Sequence, residues 1–369
     1  MIHLSPKDLH IVPIEESETI PSSWYTKQEI HDFEEEFLFR RTWHYIGHAS
    51  QLCHPGDHVI GTAGNNPIIV VRNQEDNLRA FYNVCRHRAG PLALQNGCSS
   101  MLQCKYHGWT YTLDGLLRGT PRFQRTDLFD AKDFGLVPVQ HAQWNNLVFV
   151  SLETPTETLD SFFNEVSSRL GEQHFDSLKF SQRVVYEVGC NWKVYVDNYL
   201  EGYHLPYVHP ELCDLLVVQQ YRTETFEHSS LQTSPLTSEK NLYSTKGGTA
   251  FYFHLFPNLM LNILPGRLQV NVVLPTSRCT CKVIFDYYFE DISSPPARQR
   301  IANDVSYSDK VQQEDIQICE HVQRGLASEA YDTGRFSPEM EVAVYHFQKM
   351  LKRAFANGIK QNSDTHTRA

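Results

Sequence analysis

Residues 83–109 read NVCRHRAGPLALQNGCSSMLQCKYHGW, and two short ligand pairs stand in them. Cys85-x-His87 and Cys104-x-x-His107 are separated by sixteen residues. Two thiolates and two imidazoles can hold one tetrahedral zinc or an asymmetric two-iron, two-sulfur cluster. In a zinc finger, cysteines pair with cysteines and histidines with histidines. Here each half supplies one of each, which suits a bimetallic centre whose cysteines take one iron and whose histidines take the other.

Around these pairs the pattern has period two. Residues 57–63 (DHVIGTA), 67–72 (PIIVVR) and 78–84 (LRAFYNV) read as strands. Asp114-Gly115 and Asn145-Asn146 mark hairpins. A small all-β domain is therefore expected over 42–152, with both ligand pairs on loops between strands. It is preceded by a helical segment, 1–41, packing on the domain that follows residue 152, with a helix from Lys27 to Arg40 that Thr26 caps.

From 153 to 369 the pattern is mixed, and a second domain is expected there. Helices are expected at 159–170, 193–204, 308–326 and 338–356. Strands are expected at 184–192, 216–226, 249–256, 259–264, 267–274 and 280–290. Antiparallel strands followed by long helices imply an α+β fold in which helices cover one sheet face.

The totals exclude several classes. The chain has 369 residues, 41% hydrophobic and 21% charged, with a net charge of −10 and no basic run, so nucleic acid is not an expected partner. No apolar stretch approaches a membrane span, and the first residues do not read as a secretory signal. Nine cysteines in so long a chain do not form a disulfide framework, and a reducing cytoplasm fits best. Cys279 and Cys281 read as packed thiols on one strand face.

A second site lies in NWKVYVDNYLEGYHLPYVHP, residues 191–210. Helical spacing puts Val194, Asp197, Glu201 and His204 on one face, and Pro206 distorts the backbone before His209. With that distortion both imidazoles can approach one metal. In 308–326, Val311, Asp315, Ile318, Val322 and Leu326 form a stripe, so Asp315 is expected to face inward among apolar side chains. A buried carboxylate is costly unless a cation or donor compensates it. Two histidines and a carboxylate are the facial set of non-haem Fe(II), with open positions for oxygen and substrate.

The Cys85/His87 and Cys104/His107 set with its flanks Arg88-Ala89-Gly90-Pro91 and Gly108-Trp109, NWKVYVDNYLEGYH and VQQEDIQICEHVQRGL carry a resemblance over nearly the whole chain. It resembles the α subunits of the Rieske non-haem iron oxygenases. DNYLEGYH, LFPNLMLN and EHVQRGLASEAYDTGR are most similar to the branch acting on quaternary ammonium compounds, namely choline, betaine and carnitine.

The resemblance implies a [2Fe-2S] cluster on Cys85, His87, Cys104 and His107, and a mononuclear iron on His204, His209 and Asp315. It implies catalytic roles for Glu201 and Asn198, with Glu201 linking the iron ligand to a neighbouring subunit's cluster. O2 is then the co-substrate, and a homotrimer is implied. No Gly-x-Gly-x-x-Gly fingerprint appears, so electrons from NAD(P)H are expected through a separate flavin/iron–sulfur reductase. The expected reaction is hydroxylation or N-demethylation of a small quaternary ammonium compound, with aromatic-ring hydroxylation as the alternative. Aromatic faces recognise such cations, and Tyr199, Tyr203, Phe251 and Phe253 are the candidates.

Overall fold

The computed structural model describes residues 4–366 apart from 6, 171–174, 176, 214 and 238–247. Two helices open the chain, α1 (Ser23–Thr26) and α2 (Gln28–Phe37). Thr26 does not cap α2; its hydroxyl bonds back to the Ser22 carbonyl at 3.0 Å and closes α1. Lys27, in extended backbone, separates the two. Trp24 stacks on Phe355 at 4.3 Å between ring centroids, and Phe33 packs on the same ring at 4.9 Å. The N-terminal helices and residues from 164 onward form one compact unit, and Phe39–Phe163 form another.

The Phe39–Phe163 unit is built of short strands: β1 (His44–His48), β2 (Asp57–Ala63), β3 (Asn66–Arg72), β4 (Leu78–Tyr82), β5 (Gly97–Cys98), β6 (Leu102–Gln103), β7 (Thr110–Tyr111), β8 (Leu117–Gly119), β9 (Gln140–Trp144) and β10 (Leu147–Ser151). They form three small sheets, ordered β1-β10-β9, β4-β3-β2-β5 and β6-β7-β8. Asn145, at φ 48°, makes the two-residue turn that pairs Trp144 with Leu147. Gly115 is required twice over: its φ is +83°, and a Cβ there would lie 2.6 Å from the Phe81 ring. Val59, Ile68, Val70 and Val148 build one core, and Ile69, Phe81, Trp109 and Tyr111 build the other, under the ligand loops.

This unit runs eleven residues past the expected boundary at 152, to Phe163. Four contacts hold the extra segment. Trp43 Nε1 donates to the Glu157 carbonyl at 3.0 Å, and Phe163, after the short helix α3 (Leu159–Phe162), stacks on Trp144 at 4.0 Å. Glu153 accepts from Arg40 at 2.6 Å and Arg41 at 2.9 Å.

The other unit continues through α4 (Asn164–Leu170), β11 (Lys179–Val188), α5 (Trp192–Tyr199), α6 (Leu205–Val208) and α7 (Pro210–Cys213). A meander follows: β12 (Arg222–Thr225), β13 (Ser229–Leu236), β14 (Gly248–Leu255), β15 (Leu259–Leu264), β16 (Arg267–Ser277) and β17 (Thr280–Phe289). The seven-stranded antiparallel sheet has the order β11-β17-β16-β15-β14-β13-β12. The expected strand over 216–226 shrinks to β12 and a single bridge from Leu216 to Leu236. β13 was not expected, because its sequence SSLQTSPL lacks apolar alternation.

The helices α8 (Pro295–Leu326) and α9 (Val342–His366) complete the chain. α8 starts well before the expected residue 308, where Ser294 caps the Ala297 amide at 3.3 Å and Pro295 sits at the first turn. α9 starts at Val342, since residues 337–341 form a turn in which Met340 and Glu341 amides donate to the Ser337 carbonyl.

The buried face of α8 is rotated from the expected stripe. Gln312, Cys319 and Gln323 are buried, whereas Val322 is exposed. The polar choice has a cause: the backbone leading into α5 docks here, with the Gly189 amide on Glu320 at 2.9 Å and the Asn191 amide on Gln323 at 2.7 Å. Cys190, between those two residues, meets Cys281 and Cys319 as buried thiols, whose hydrogen bonds hold its pKa down to about 5. Cys279 lies in the turn before β17, not on a shared strand face with Cys281. Among the described residues no helix is long and apolar enough to cross a membrane.

Two candidate metal centres

The loops after β4 and β6 are the same turn made twice. Ala89 N donates to Cys85 O at 3.0 Å and Gly108 N to Cys104 O at 3.1 Å. Cys85 N donates to Gly90 O at 2.8 Å and Cys104 N to Trp109 O at 2.8 Å. Ala89 (φ 57°) and Gly108 (φ 75°), each four residues after its cysteine, take the left-handed conformation that the turn demands. A Cβ on Gly90 would meet Cys104 Sγ at 2.8 Å, so the loops close only with glycine there.

This repeat brings all four expected ligands together. The His87 and His107 rings lie 4.7 Å apart, and His87 stacks on Trp109 at 4.8 Å. Both Nδ1 atoms are buried without a hydrogen-bond partner, which leaves two ring nitrogens for a metal. The buried Cys85 sulfur lies 3.1 Å from the Tyr111 hydroxyl, and Cys104 Sγ accepts from the Tyr106 amide at 3.5 Å. Burial raises the Cys85 pKa above its ordinary value, so a bound cation is what would make it a thiolate. Two sheltered sulfurs with hydrogen-bond donors beside two orphaned imidazole nitrogens fit an asymmetric two-iron cluster.

The second centre is built where α5 ends. The helix stops at Tyr199, earlier than Pro206 alone would require. Glu201 turns back, and its Oε2 accepts from the amides of Tyr203 and, at 3.0 Å, His204. Asp197 therefore does not share a face with Glu201 and His204; it is half-buried and bonds to Tyr25 and Gln348. Pro206 then sits inside the first turn of α6, which ends just before His209.

His204, His209 and Asp315 each offer one ligand atom within 4.8 Å of the others. Asp315 Oδ1 lies 2.9 Å from His209 Nε2 and 3.8 Å from His204 Nε2. The opposite ring nitrogens are held by carboxylates: His204 Nδ1 by Glu201 at 2.6 Å and His209 Nδ1 by Glu314 at 2.7 Å. Such partners orient a ligating imidazole and raise its basicity. Asn198 Nδ2 donates to Asp315 Oδ1 at 2.6 Å. Burial lowers the His209 pKa, but Asp315 and Glu314 outweigh it and the net shift is upward. Three carboxylates around two imidazoles favour a cation. Glu314 was missed in the sequence, although it stands next to Asp315 there.

A cavity of about 120 Å³ opens on His204, His209, Glu201, Asn198 and Asp315, and a second of about 120 Å³ continues past Asp315 along the sheet. Both are lined by Tyr199 and Tyr252. Of the expected aromatic candidates only Tyr199 reaches them. Tyr203 is 50% exposed, and Phe251 and Phe253 lie on the other face of β14 from Tyr252. The period-two pattern was legible, but which face met the site was not. A polar row crosses five neighbouring strands: Gln232, Tyr252, Asn262, Gln269 and Tyr287 stand opposite one another in register.

The Rieske [2Fe-2S] domain signature matches residues 42–136, and that of the ring hydroxylating alpha subunit catalytic domain matches 175–357. The chloroplastic choline monooxygenase of Arabidopsis thaliana is 36% identical, over 92% of this chain and 83% of the relative. The carnitine monooxygenase oxygenase subunit of Acinetobacter pittii is 31% identical, over 85% of this chain and 86% of its own length. The solved structure of a quaternary ammonium Rieske monooxygenase, described for carnitine oxidation and inter-subunit electron transfer, superposes with a TM-score of 0.86 at 27% identity, covering 93% of this chain and 96% of that one.

Proposed function

Because this chain belongs to the Rieske oxygenase family that includes the choline and carnitine monooxygenases, we propose that it is an oxygenase component acting on a small quaternary ammonium compound. The observation that carries the reading is the His204, His209 and Asp315 set opening on a small cavity lined by Tyr199 and Tyr252. Iron held there, with electrons passed through a cluster on Cys85, His87, Cys104 and His107, would supply the reduction of O2 and its insertion into a C–H bond. The overall balance is R–CH3 + O2 + 2 electrons + 2 protons giving R–CH2OH + H2O. At an N-methyl group the product collapses to the demethylated amine and formaldehyde.

The chain's own residues set the rest. Glu201 and Glu314 fix the two imidazoles with Nε2 toward Asp315, and Asn198 holds the Asp315 carboxylate. Tyr199, whose hydroxyl donates to Asn262 at 2.8 Å, presents a held ring to a trimethylammonium head. The protein works in the cytoplasm as a head-to-tail homotrimer supplied by a separate flavin/iron–sulfur reductase that oxidises NAD(P)H. Glu201 carries the coupling between one subunit's iron and its neighbour's cluster.

The test is oxygen uptake and product analysis with a reductase and a panel of choline, trimethylglycine, carnitine and simple aromatics. Substrate-dependent uptake with a quaternary ammonium compound supports the reading. Uptake with aromatics alone overturns it.

A further inference from the structure

The face of α8 that meets the sheet lines three cavities in turn. Ala297, Ile301 and Asp304 line an outer one of about 400 Å³ near the start of the helix. Ser308, Gln312 and Asp315 line the second, which continues into the cavity at the iron ligands. These positions recur every three or four residues, so they share one face. From Ala297 to Asp315 that face runs about 27 Å, at 1.5 Å per residue.

One side chain interrupts the run. Arg267, 4% exposed, is the only described residue common to the linings of the outer and the second cavity. Asp304, which lines the outer of these two and not the inner, binds its Nε at 2.6 Å. Gln269, which lines the inner and not the outer, accepts from its guanidinium through Oε1. The Tyr287 ring lies 5.6 Å from Arg267 Cζ, and the Tyr287 hydroxyl donates to Ser308 at 2.9 Å, which ties helix to sheet just inside the ion pair. The partition is therefore made of side-chain atoms between two tethered elements, and it can open without moving either.

A second place is open to the guanidinium. Glu290 is exposed and lines the outer cavity, and its Oε2 lies 3.8 Å from where a Cβ on Gly266 would stand, one residue before Arg267. Among the described residues Glu290 has no hydrogen-bond or ion-pair partner. Its neighbour Asp291 is engaged, accepting from the Ser293 and Ser294 amides at 2.9 and 3.1 Å. Turned outward, the guanidinium exchanges a buried carboxylate for a solvated one. Desolvation and Coulomb attraction nearly cancel in a buried ion pair, so the two arrangements lie close in free energy.

We propose that the Arg267–Asp304 pair gates a route along α8 from the surface at Glu290 to the iron cavity. The gate opens when the guanidinium swings to Glu290, and it closes behind a small organic substrate. The proposal rests on the iron-site reading above and not on the substrate class.

Thiol labelling of the holoprotein tests it without turnover. Ser308→Cys puts a thiol just inside the gate. Peptide mass spectrometry reads its rate of reaction with an ethyltrimethylammonium methanethiosulfonate, apart from the native cysteines. In that background Asp304→Asn should release the guanidinium and speed labelling by about tenfold, the worth of a charge-assisted bond. Glu290→Ala should slow it by about three- to fivefold, as loss of an exposed ion pair would. Ile301→Trp, which fills the outer cavity, should slow it further. Arg300→Trp blocks the same cavity from an exposed position should Ile301→Trp fold poorly by circular dichroism. A rate unchanged by the block in a folded variant means that the probe enters elsewhere, and overturns the route. Rates unchanged by both Asp304→Asn and Glu290→Ala overturn the gate. If labelling follows the expected pattern while the oxygen-uptake panel fails, the substrate reading falls and the gate stands.

Discussion

Glu34 on α2 and Lys193 on α5 form an ion pair at 2.5 Å with both side chains fully buried. The second Glu34 oxygen accepts from Trp192 Nε1 at 2.9 Å, so the carboxylate is held on both sides. Burial lowers the Lys193 pKa, and the attraction of Glu34 works against that shift. The N-terminal helix is thereby fastened to the helix that leads into the iron ligands. Glu34→Gln should destabilise the protein by about 3–5 kcal/mol, because it leaves a buried ammonium uncompensated. Replacing both residues with apolar ones should recover most of the loss. Urea unfolding of wild type and the two variants measures this; a Glu34→Gln protein within about 1 kcal/mol of wild type would remove the fastening role.

Tyr111 donates toward the Cys85 sulfur, and hydrogen bonds to sulfur raise cluster potentials. Tyr111→Phe should keep the cluster and lower its potential by on the order of 60 mV, equivalent to a tenfold change for one electron. Redox titration followed by EPR checks it. His107→Ala, by contrast, should abolish the histidine-ligated signature altogether.

Asp315→Ala should lose mononuclear iron and keep the Rieske absorbance, since the two ligand sets lie in separate compact units. Metal analysis beside the visible spectrum decides it. Full iron content in the variant would make Asp315 a structural acid only.

Asp197 should make stability depend on pH. Burial pushes its pKa up to about 7, against the opposing hydrogen bonds from Tyr25 and Gln348. Between roughly pH 4 and 7 the native state holds this proton and the unfolded chain does not. Stability should fall as pH rises through that window, by on the order of 4 kcal/mol at most for this group. Asp197→Asn should flatten the profile and gain stability at pH 8, as read from denaturant midpoints across pH.

Glu201→Gln should retain both metal centres and lose most coupled turnover, because the amide cannot accept on both oxygens as the carboxylate does. Single-turnover kinetics reads the effect on cluster oxidation. A wild-type rate would reject the electron-coupling role, as would a fully active monomer at high dilution.

Much of this was legible in the chain. Ligand pairs with fixed short spacings, such as Cys85-x-His87, survive any detail of folding because the turn that holds them is local. Asp315 was legible through its position on a helix, but the buried face is rotated from the expected stripe, since α8 buries Gln323 against the backbone entering α5 and Gln312 against the Tyr195 hydroxyl. Hydrophobic periodicity does not reveal a helix that docks through hydrogen bonds. β13 escaped for the same reason, its cavity-facing Gln232 being polar. The sequence points to Phe251 and Phe253 rather than Tyr252, because alternation along a strand does not say which face meets a ligand.

The compact unit that spans Phe39–Phe163 interrupts the other one in sequence, and this orders their assembly during synthesis. The ligand-loop unit has its complete chain, with both its cores, once Phe163 has left the ribosome. Trp24 must wait for Phe355, its stacking partner, which is made roughly ten to forty seconds after Phe163 at about 5–20 residues per second. During that interval Trp24 on α1 and Phe33 on α2 lack the Phe355 ring on which they pack. The apolar side chains of α1 and α2 therefore go without their partners for longer than the cysteine-bearing loops go without theirs.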